Sequence, residues 1–290
     1  MQNLTNNTTQ LPFYHQLWLK IPLILRAIII GFIVNTIGVG SWILAIMFIP
    51  APWSVLVMAI LLVLYWKYFS GSWAPKRTQK FRASHIRITA LKKPIWTWAL
   101  IAAFSLVLFL SFGLAFTFRI VEFQPEVFKT ATYLDSAPLW ISWAYIIMAS
   151  LVAGICEEVG FRGYMQLPME KKYGPLIGIS ITSIIFVLVH LHQAWAGGIL
   201  MHIFIISFMI GYLAYATNSL LPGIIAHTTF DIVNFSYWWS DVAGTFQHKP
   251  IGVTGIDPHF IATTTILALS FVLFILATRK LISLKESPVT

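Results

Sequence analysis

Long apolar runs without a charged residue recur along this chain, and they restrict its fold more than any other feature of the sequence. Residues 95–118 form one such run and residues 139–155 form another. A helix needs about 20 mostly apolar residues to cross a bilayer, whereas a transmembrane strand needs only about 9–11. Charged residues make up 10% of the chain, while a soluble domain carries about 25%. The sequence therefore predicts an all-α polytopic membrane protein that is embedded in the lipid bilayer.

Eight apolar runs are bounded by turn residues, and each is predicted to be a transmembrane helix of one bundle. We expect a single integral membrane domain over residues 1–290, because neither an internal repeat nor a change in composition marks a second domain. The polar residues 1–12 are predicted to be a disordered tail. The predicted spans cover residues 27–48, 53–69, 95–118, 139–168, 176–192, 197–216, 222–239 and 260–278.

Basic residues are concentrated between the apolar runs, so the net charge of +9 is best explained by membrane topology. Residues 76–93 contain seven Lys or Arg and no acidic residue, and Arg279, Lys280 and Lys285 follow the last predicted span. The positive-inside rule places both clusters, and therefore both termini, in the cytoplasm. The short polar ends indicate a prokaryotic cytoplasmic membrane. Nucleic acid is excluded as a partner, since it needs a basic face on a folded soluble domain.

Acidic side chains are rare in this chain, yet three of its ten fall within predicted spans: Glu157, Glu158 and Asp231. A carboxylate at membrane depth is costly and usually faces a partner or a water-filled cavity. His190 and His227 also lie in predicted spans. With a rise of about 1.5 Å per residue from the predicted cytoplasmic turns, Glu157, His190 and Asp231 lie at overlapping depths of about 18–23 Å. These groups come from three helices and can meet in one polar cavity.

The spacing of these residues predicts which of them face each other. Glu158 and Arg162 are four residues apart, so they share a helix face and are expected to form an ion pair. Glu157 points about 100° away and is left to face another helix. His227 and Asp231 have the same four-residue spacing on a different helix.

A buried carboxylate beside histidines can activate water for hydrolysis. Glu157 would take a proton from the water while His190 orients it, alone or through a metal. His227 and Asp231 would then stabilise the oxyanion. In a version with zinc, His190, His227 and Glu157 would be the ligands, and the fourth position would hold the water. The cofactor is thus either a divalent metal such as zinc or none, and the absence of His-Glu-x-x-His argues against an ordinary soluble zinc protease.

These residues also have purely structural interpretations. A lone histidine in a span more often makes an inter-helix hydrogen bond than it binds a ligand, and His202 is assigned to that role. The pair of Glu158 and Arg162, taken alone, is more often structural than catalytic. Packing alone seldom places four titratable groups at one depth, so the joint pattern favours a functional site.

Three motifs follow one another on the late helices: Glu157-Glu158-x-x-x-Arg162, Phe186-x-x-x-His190 and His227-x-x-x-Asp231. Their order and intervals resemble the CPBP family of intramembrane proteases, which comprises type II CaaX prenyl endopeptidase-like and bacteriocin-processing (Abi-type) proteins. The resemblance implies a membrane fold of about eight helices, with the catalytic helices at about 139–239.

The resemblance implies a role for each of these positions. Glu157 and His190 would activate the attacking water, and His227 with the residue at Asp231 would form the oxyanion site. Family members are often described as metalloproteases, although the glutamate–histidine mechanism does not require a metal. The remaining motif residues would support the site: Glu158, Arg162 and Phe186.

One position departs from the pattern of the eukaryotic CaaX proteases, which carry asparagine where Asp231 stands. An ionised aspartate cannot donate a hydrogen bond to an oxyanion. Asp231 would therefore be protonated, orient His227 or bind a cation. A prenylated substrate is not implied, since bacterial relatives share the motifs without prenylated CaaX proteins.

The leading prediction is a membrane-embedded endopeptidase that acts on a peptide or membrane-protein substrate. One alternative is a non-enzymatic membrane protein, such as a bacteriocin-immunity factor or a scaffold. Another is a proton-coupled transporter with Glu157, Glu158 and Asp231 as a relay, although neither internal repeats nor paired broken helices are found. A cavity that is closed on the external side and open to the cytoplasm or laterally would favour the protease.

Overall fold

Apolar runs in lipid form helices because each backbone N–H and C=O must find its partner within the segment. The computed structural model describes residues 13–87, 91–193 and 198–286, and these residues form helices and connecting turns without a β-strand. The predicted all-α class is therefore confirmed. The predicted disordered tail at residues 1–12 lies outside the described residues, as does the first residue of the sixth predicted span.

Each of the eight predicted spans overlaps a helix, and two further helices, Phe13–Lys20 and Lys76–His85, lie before and after the first two of these. Shorter helical turns lie in the connections. The helices of eight or more residues in the described parts of the chain are α1 (Phe13–Lys20), α2 (Leu23–Phe48), α3 (Trp53–Phe69), α4 (Lys76–His85), α5 (Lys93–Ile120), α6 (Leu139–Tyr173), α7 (Pro175–Val189), α8 (Ile199–Thr217), α9 (Leu221–Val233) and α10 (Pro258–Glu286).

Five of the described helices, α2, α5, α6, α8 and α10, are long and apolar enough to cross a membrane. Helices α3 and α7 are apolar but have only 17 and 15 residues. Helix α9 has 13 residues and continues into the π-helical segment Asn234–Trp238. An integral membrane protein is supported, while the number of eight crossings stays a prediction. The fifth predicted span, 176–192, ends earlier than expected, since His190 is already the C-cap of α7.

Glycines let α2 and α6 pack with their backbones in close contact. A Cβ atom on Gly31 would lie 2.7 Å from the Gly160 carbonyl oxygen, and a Cβ atom on Gly38 would lie 2.2 Å from Cys156 Sγ. Cys156 is fully buried in this contact, so it is a packing residue. Helix α2 thereby supports the middle of α6, and α5 packs along α10.

We expect Gly38→Ala to lower the melting temperature of the detergent-solubilised protein. The added methyl group has no room against Cys156, and overpacking of this kind costs about 1–3 kcal/mol. Gly40→Ala is the matched control in the same helix, because its Cβ atom would meet only Thr36 Cγ2, at an ordinary 3.9 Å. Where a helix position has room for the methyl group, this change is neutral or stabilising. Similar melting temperatures for the two variants would contradict the close contact of α2 with α6.

A buried arginine joins the end of α5 to the segment that precedes α10. Arg119 is fully buried, and its two Nη atoms donate to Asp257 Oδ1 and Oδ2 at 2.9 and 2.6 Å. Its Nε donates to the Lys249 carbonyl oxygen, and Nη2 also donates to Thr254 Oγ1, both at 2.8 Å. The guanidinium therefore fixes the connection between α9 and α10 in place.

The Arg119–Asp257 pair makes stability depend on pH. Hydrogen bonds from Arg119 hold the pKa of the Asp257 carboxyl well below its ordinary value. The stability from the pair is therefore fully present above the ordinary carboxyl pKa of about 4 and is lost progressively as the pH falls from there towards the lowered pKa. We expect the melting temperature to fall more steeply between about pH 4.5 and about pH 2 in the wild type than in Asp257→Asn. A control is Glu122→Gln, which changes an exposed carboxylate and should behave as wild type.

Candidate active site

The central part of α6 is wound as a π-helix over Ala153–Gln166. A π-helix has i→i+5 hydrogen bonds and is found mostly as single turns at functional sites, so a segment of 14 residues is unusual. Glycines permit close approach of neighbouring helices here: a Cβ atom on Gly154 would lie 2.1 Å from Thr228 Oγ1. The predicted continuous helix through Glu157 and Glu158 is confirmed, but its π winding was not predicted.

Glu158 lies at the centre of a fully buried charge network. Its Oε1 is 3.1 Å from Arg162 Nη1, and both side chains have no exposed surface. The predicted ion pair is therefore present. Arg162 Nη2 also donates to the carbonyl oxygen and to Oγ of Ser207 on α8, both at 3.0 Å. This network ties α6 to α8.

Glu158 has a second partner that the sequence did not predict. His227 Nδ1 on α9 lies 2.9 Å from Glu158 Oε1. A carboxylate only accepts hydrogen bonds, so Nδ1 carries the proton and donates. One carboxylate thus binds both the Arg162 guanidinium and the His227 imidazole. The Nε2 edge of the imidazole is turned away from Glu158.

The Nε2 edge of the His227 ring faces two further carboxyl groups. His227 Nε2 lies 3.5 Å from Asp231 Oδ2 and 3.9 Å from Glu157 Oε2. The contact with Asp231 is the one expected from the four-residue spacing. The contact with Glu157 joins α6 to α9, as the overlapping depths predicted.

His190 is held at the end of α7 by its own helix. Its Nδ1 lies 2.7 Å from the Phe186 carbonyl oxygen, so Nδ1–H donates and Nε2 is the ring atom left for a ligand. The Phe186 ring lies against the His190 ring, with 4.5 Å between centroids. The Arg162 guanidinium carbon lies 4.9 Å from the centroid of the same Phe186 ring. Phe186 therefore contacts both His190 and the buried charge network.

The four residues predicted to be catalytic line one cavity of about 190 Å³. Among the other lining residues, His192, Asn234 and Trp239 were not predicted to belong to the site. Asn234 follows Asp231 by three residues, a spacing that shares a helix face, so the sequence did contain a signal for it. His202 does not line the cavity, but its buried Nε2 has no hydrogen-bond partner among the described residues, so its assignment to an inter-helix hydrogen bond stays a prediction. The lining residues are Ala153, Glu157, Phe186, His190, His192, Ile203, Ile206, His227, Phe230, Asp231, Asn234, Phe235 and Trp239.

The cavity lies towards the helix ends that are remote from the basic helix α4. His192 follows the end of α7, and Trp239 follows the segment that continues α9. The end of α7 is one helix length from the turn at residue 174, where Glu170 pairs with Arg87 near the end of α4. The start of α9 lies on the same side as this turn, since Leu220 N donates to the Arg87 carbonyl oxygen at 3.3 Å. If the basic residues are cytoplasmic, the cavity lies in the external half of the bundle, and the expected opening to the cytoplasm or laterally stays a prediction.

The predicted metal ligands do not form a ready metal site. Within residues 13–87, 91–193 and 198–286, no group of three His, Cys, Asp or Glu side chains is arranged to hold a metal ion. The hydrogen bonds at His227 Nδ1 and His190 Nδ1 leave Nε2 of each ring available, as in many metal-binding histidines, so the predicted ligand set stays a prediction. The mechanism is written for the side chains alone.

The protein is thus an all-helical membrane protein in which glutamate and histidine side chains from three helices line one cavity. Residues 138–233, about a third of the 290-residue chain, match the family described as "Rce1-like: Type II CAAX prenyl endopeptidase Rce1-like". This match confirms the resemblance to the CPBP family and supports a CAAX-type intramembrane protease. No curated protein and no solved structure matches the chain.

Proposed function

We propose that this protein is an intramembrane endopeptidase that hydrolyses a peptide bond with a water activated by Glu157 and His190. The observation that carries the proposal is that Glu157, His190, His227 and Asp231, from three helices, line the same cavity. The family match to the same three helices supports it.

In the first step, the Glu157 carboxylate takes a proton from a water held by His190 Nε2. The water oxygen bonds to the carbonyl carbon of the peptide, and the electron pair of the C=O bond moves to the carbonyl oxygen. In its protonated form, His227 donates from Nε2 to this oxyanion. Asp231 Oδ2, at 3.5 Å from His227 Nε2, stabilises the positive charge of the protonated imidazole ring. This role suits an ionised aspartate, which carries the opposite charge and cannot donate a hydrogen bond to the oxyanion.

In the second step, the oxyanion reforms the carbonyl and the C–N bond breaks. The leaving nitrogen takes the proton from the Glu157 carboxyl, which becomes a carboxylate again. The products are a new carboxyl terminus and a new amine. Glu158 and Arg162 do not touch the substrate in this scheme, and they hold His227 and α6 in position.

The substrate is a peptide or a segment of a membrane protein, and the mechanism sets no requirement for a prenyl group. With both termini in the cytoplasm, as the basic clusters favour, the substrate reaches the cavity from the external side or laterally through the bilayer. A prokaryotic cytoplasmic membrane is the proposed location.

The proposal is tested with the full-length protein purified in detergent. Internally quenched peptides with apolar sequences, with and without a farnesylated cysteine, are incubated with it in water enriched in ¹⁸O. We expect cleavage of at least one peptide and incorporation of ¹⁸O into the new carboxyl terminus. A folded protein that leaves all these peptides intact would favour the non-enzymatic alternative.

A further inference from the structure

Asn234 is a cavity residue whose side chain has no partner in the described parts of the protein. It is the first residue of the π-helical segment Asn234–Trp238 that continues α9, and it lines the cavity with the four proposed catalytic residues. Its side-chain Oδ1 is buried and makes no hydrogen bond. Its main-chain oxygen, by contrast, accepts a hydrogen bond from Trp239 N at 3.1 Å. An unpaired buried amide oxygen is unfavourable, and rotation of the carboxamide about χ2 allows it to find a partner in a molecule bound in the cavity.

Asn234 can make hydrogen bonds that the neighbouring carboxyl groups cannot make. The cavity wall presents carboxyl groups from Glu157 and Asp231, which accept hydrogen bonds when ionised. A peptide bond being hydrolysed needs donors for its carbonyl oxygen as well as an acceptor for a neighbouring N–H. Asn234 is the one carboxamide among the described lining residues, and a carboxamide offers both kinds of group.

The position of Asn234 on its helix agrees with this role. Asn234 is three residues after Asp231, so both side chains are on the same face. His227 precedes Asp231 by one turn. The three residues thus form a row on the helix that crosses the cavity, and Asn234 lies at the end of the row that is nearest to Trp239.

We propose that Asn234 binds the main chain of the substrate, with Nδ2 donating to the carbonyl oxygen of the bond to be cleaved and Oδ1 accepting from a nearby substrate N–H. The inference rests on the proposed endopeptidase function. It assigns to Asn234 the donor role that an ionised Asp231 does not fill.

A second asparagine provides a matched control. Asn35 on α2 also has a buried Oδ1 without a hydrogen-bond partner. It packs against Gly160 of α6 but does not line the cavity. If an unpaired carboxamide only affects folding, substitution of either residue should have the same result.

The test compares Asn234→Ala, Asn234→Asp and Asn35→Ala in the full-length protein, with the quenched peptide that the wild type cleaves best. We expect kcat/KM to fall by at least about tenfold in Asn234→Ala, as on loss of one oxyanion donor, and to stay within about twofold of wild type in Asn35→Ala, whose carboxamide makes no hydrogen bond. Asn234→Asp keeps the shape and the acceptor but lacks the N–H donor, so it should lose activity to a similar extent.

The outcomes separate this inference from the proposed function. If the wild type cleaves peptide and Asn234→Ala matches Asn35→Ala, the role of Asn234 is wrong and the endopeptidase proposal stands. If the wild type cleaves no peptide, the endopeptidase proposal fails and the inference fails with it. Melting temperatures of all variants are measured in parallel, and equal values exclude misfolding as the cause of lost activity.

Discussion

Glu157→Gln is expected to abolish peptide hydrolysis while the protein remains folded in detergent. Glutamine has nearly the same shape but cannot take the proton from water, and loss of a general base lowers rates by about 10²–10⁴-fold. His190→Ala should have an effect of similar size, because it removes the Nε2 atom that orients the water. The hydrogen bond to the Phe186 carbonyl oxygen fixes the His190 ring with Nε2 available for this role.

The measurement is kcat/KM for a cleaved peptide, together with the melting temperature of each variant. Glu126→Gln is the control for removal of a carboxylate, since Glu126 is exposed and does not line the cavity. It should retain wild-type activity. Retained cleavage by either Glu157→Gln or His190→Ala would refute the proposed mechanism.

Glu158→Gln is expected to destabilise the protein much more than Glu157→Gln does. Arg162 is fully buried beside Glu158, and loss of one partner of a buried ion pair costs about 3–5 kcal/mol. His227 loses its charged acceptor at the same time. Glu157 has no such hydrogen bond, because its nearest approach to His227 is 3.9 Å. The adjacent glutamates should therefore differ sharply in melting temperature.

A double substitution separates the buried charge from the packing. Replacement of a buried ion pair by apolar residues of similar volume is often neutral or stabilising. We expect Glu158→Leu with Arg162→Met to recover much of the melting temperature lost in Glu158→Gln. Equal melting temperatures for the Glu158→Gln and Glu157→Gln variants would show that Arg162 is held mainly by Ser207.

Local spacing predicted the parts of the site that lie on one helix. The pairs Glu158–Arg162 and His227–Asp231 follow from the four-residue repeat of an α-helix, and both are present. The apolar runs predicted where the helices lie. The overlapping depths predicted that three helices would share a cavity, and Glu157, His190 and Asp231 do line one.

Spacing along one helix could not predict the contacts between helices. The sequence assigned Glu158 to Arg162 alone, whereas His227 Nδ1 also binds it, because helix rotation depends on packing that no single segment encodes. The π winding of Ala153–Gln166 also went unpredicted, since it changes the turn without changing the apolar pattern.

The burial of the site between helices restricts the shape in which a substrate can arrive. The side chains of Glu157 and His227 are only 15% and 6% exposed, whereas each carbonyl group of an α-helix is already bonded to the N–H four residues on and is surrounded by the side chains of its own helix. A membrane-spanning helix must therefore unwind before its backbone can reach Glu157. Unwinding in lipid breaks hydrogen bonds that water cannot replace. We expect helix-breaking residues, or a free chain end, to determine where this protein cuts more than the identity of the flanking side chains does.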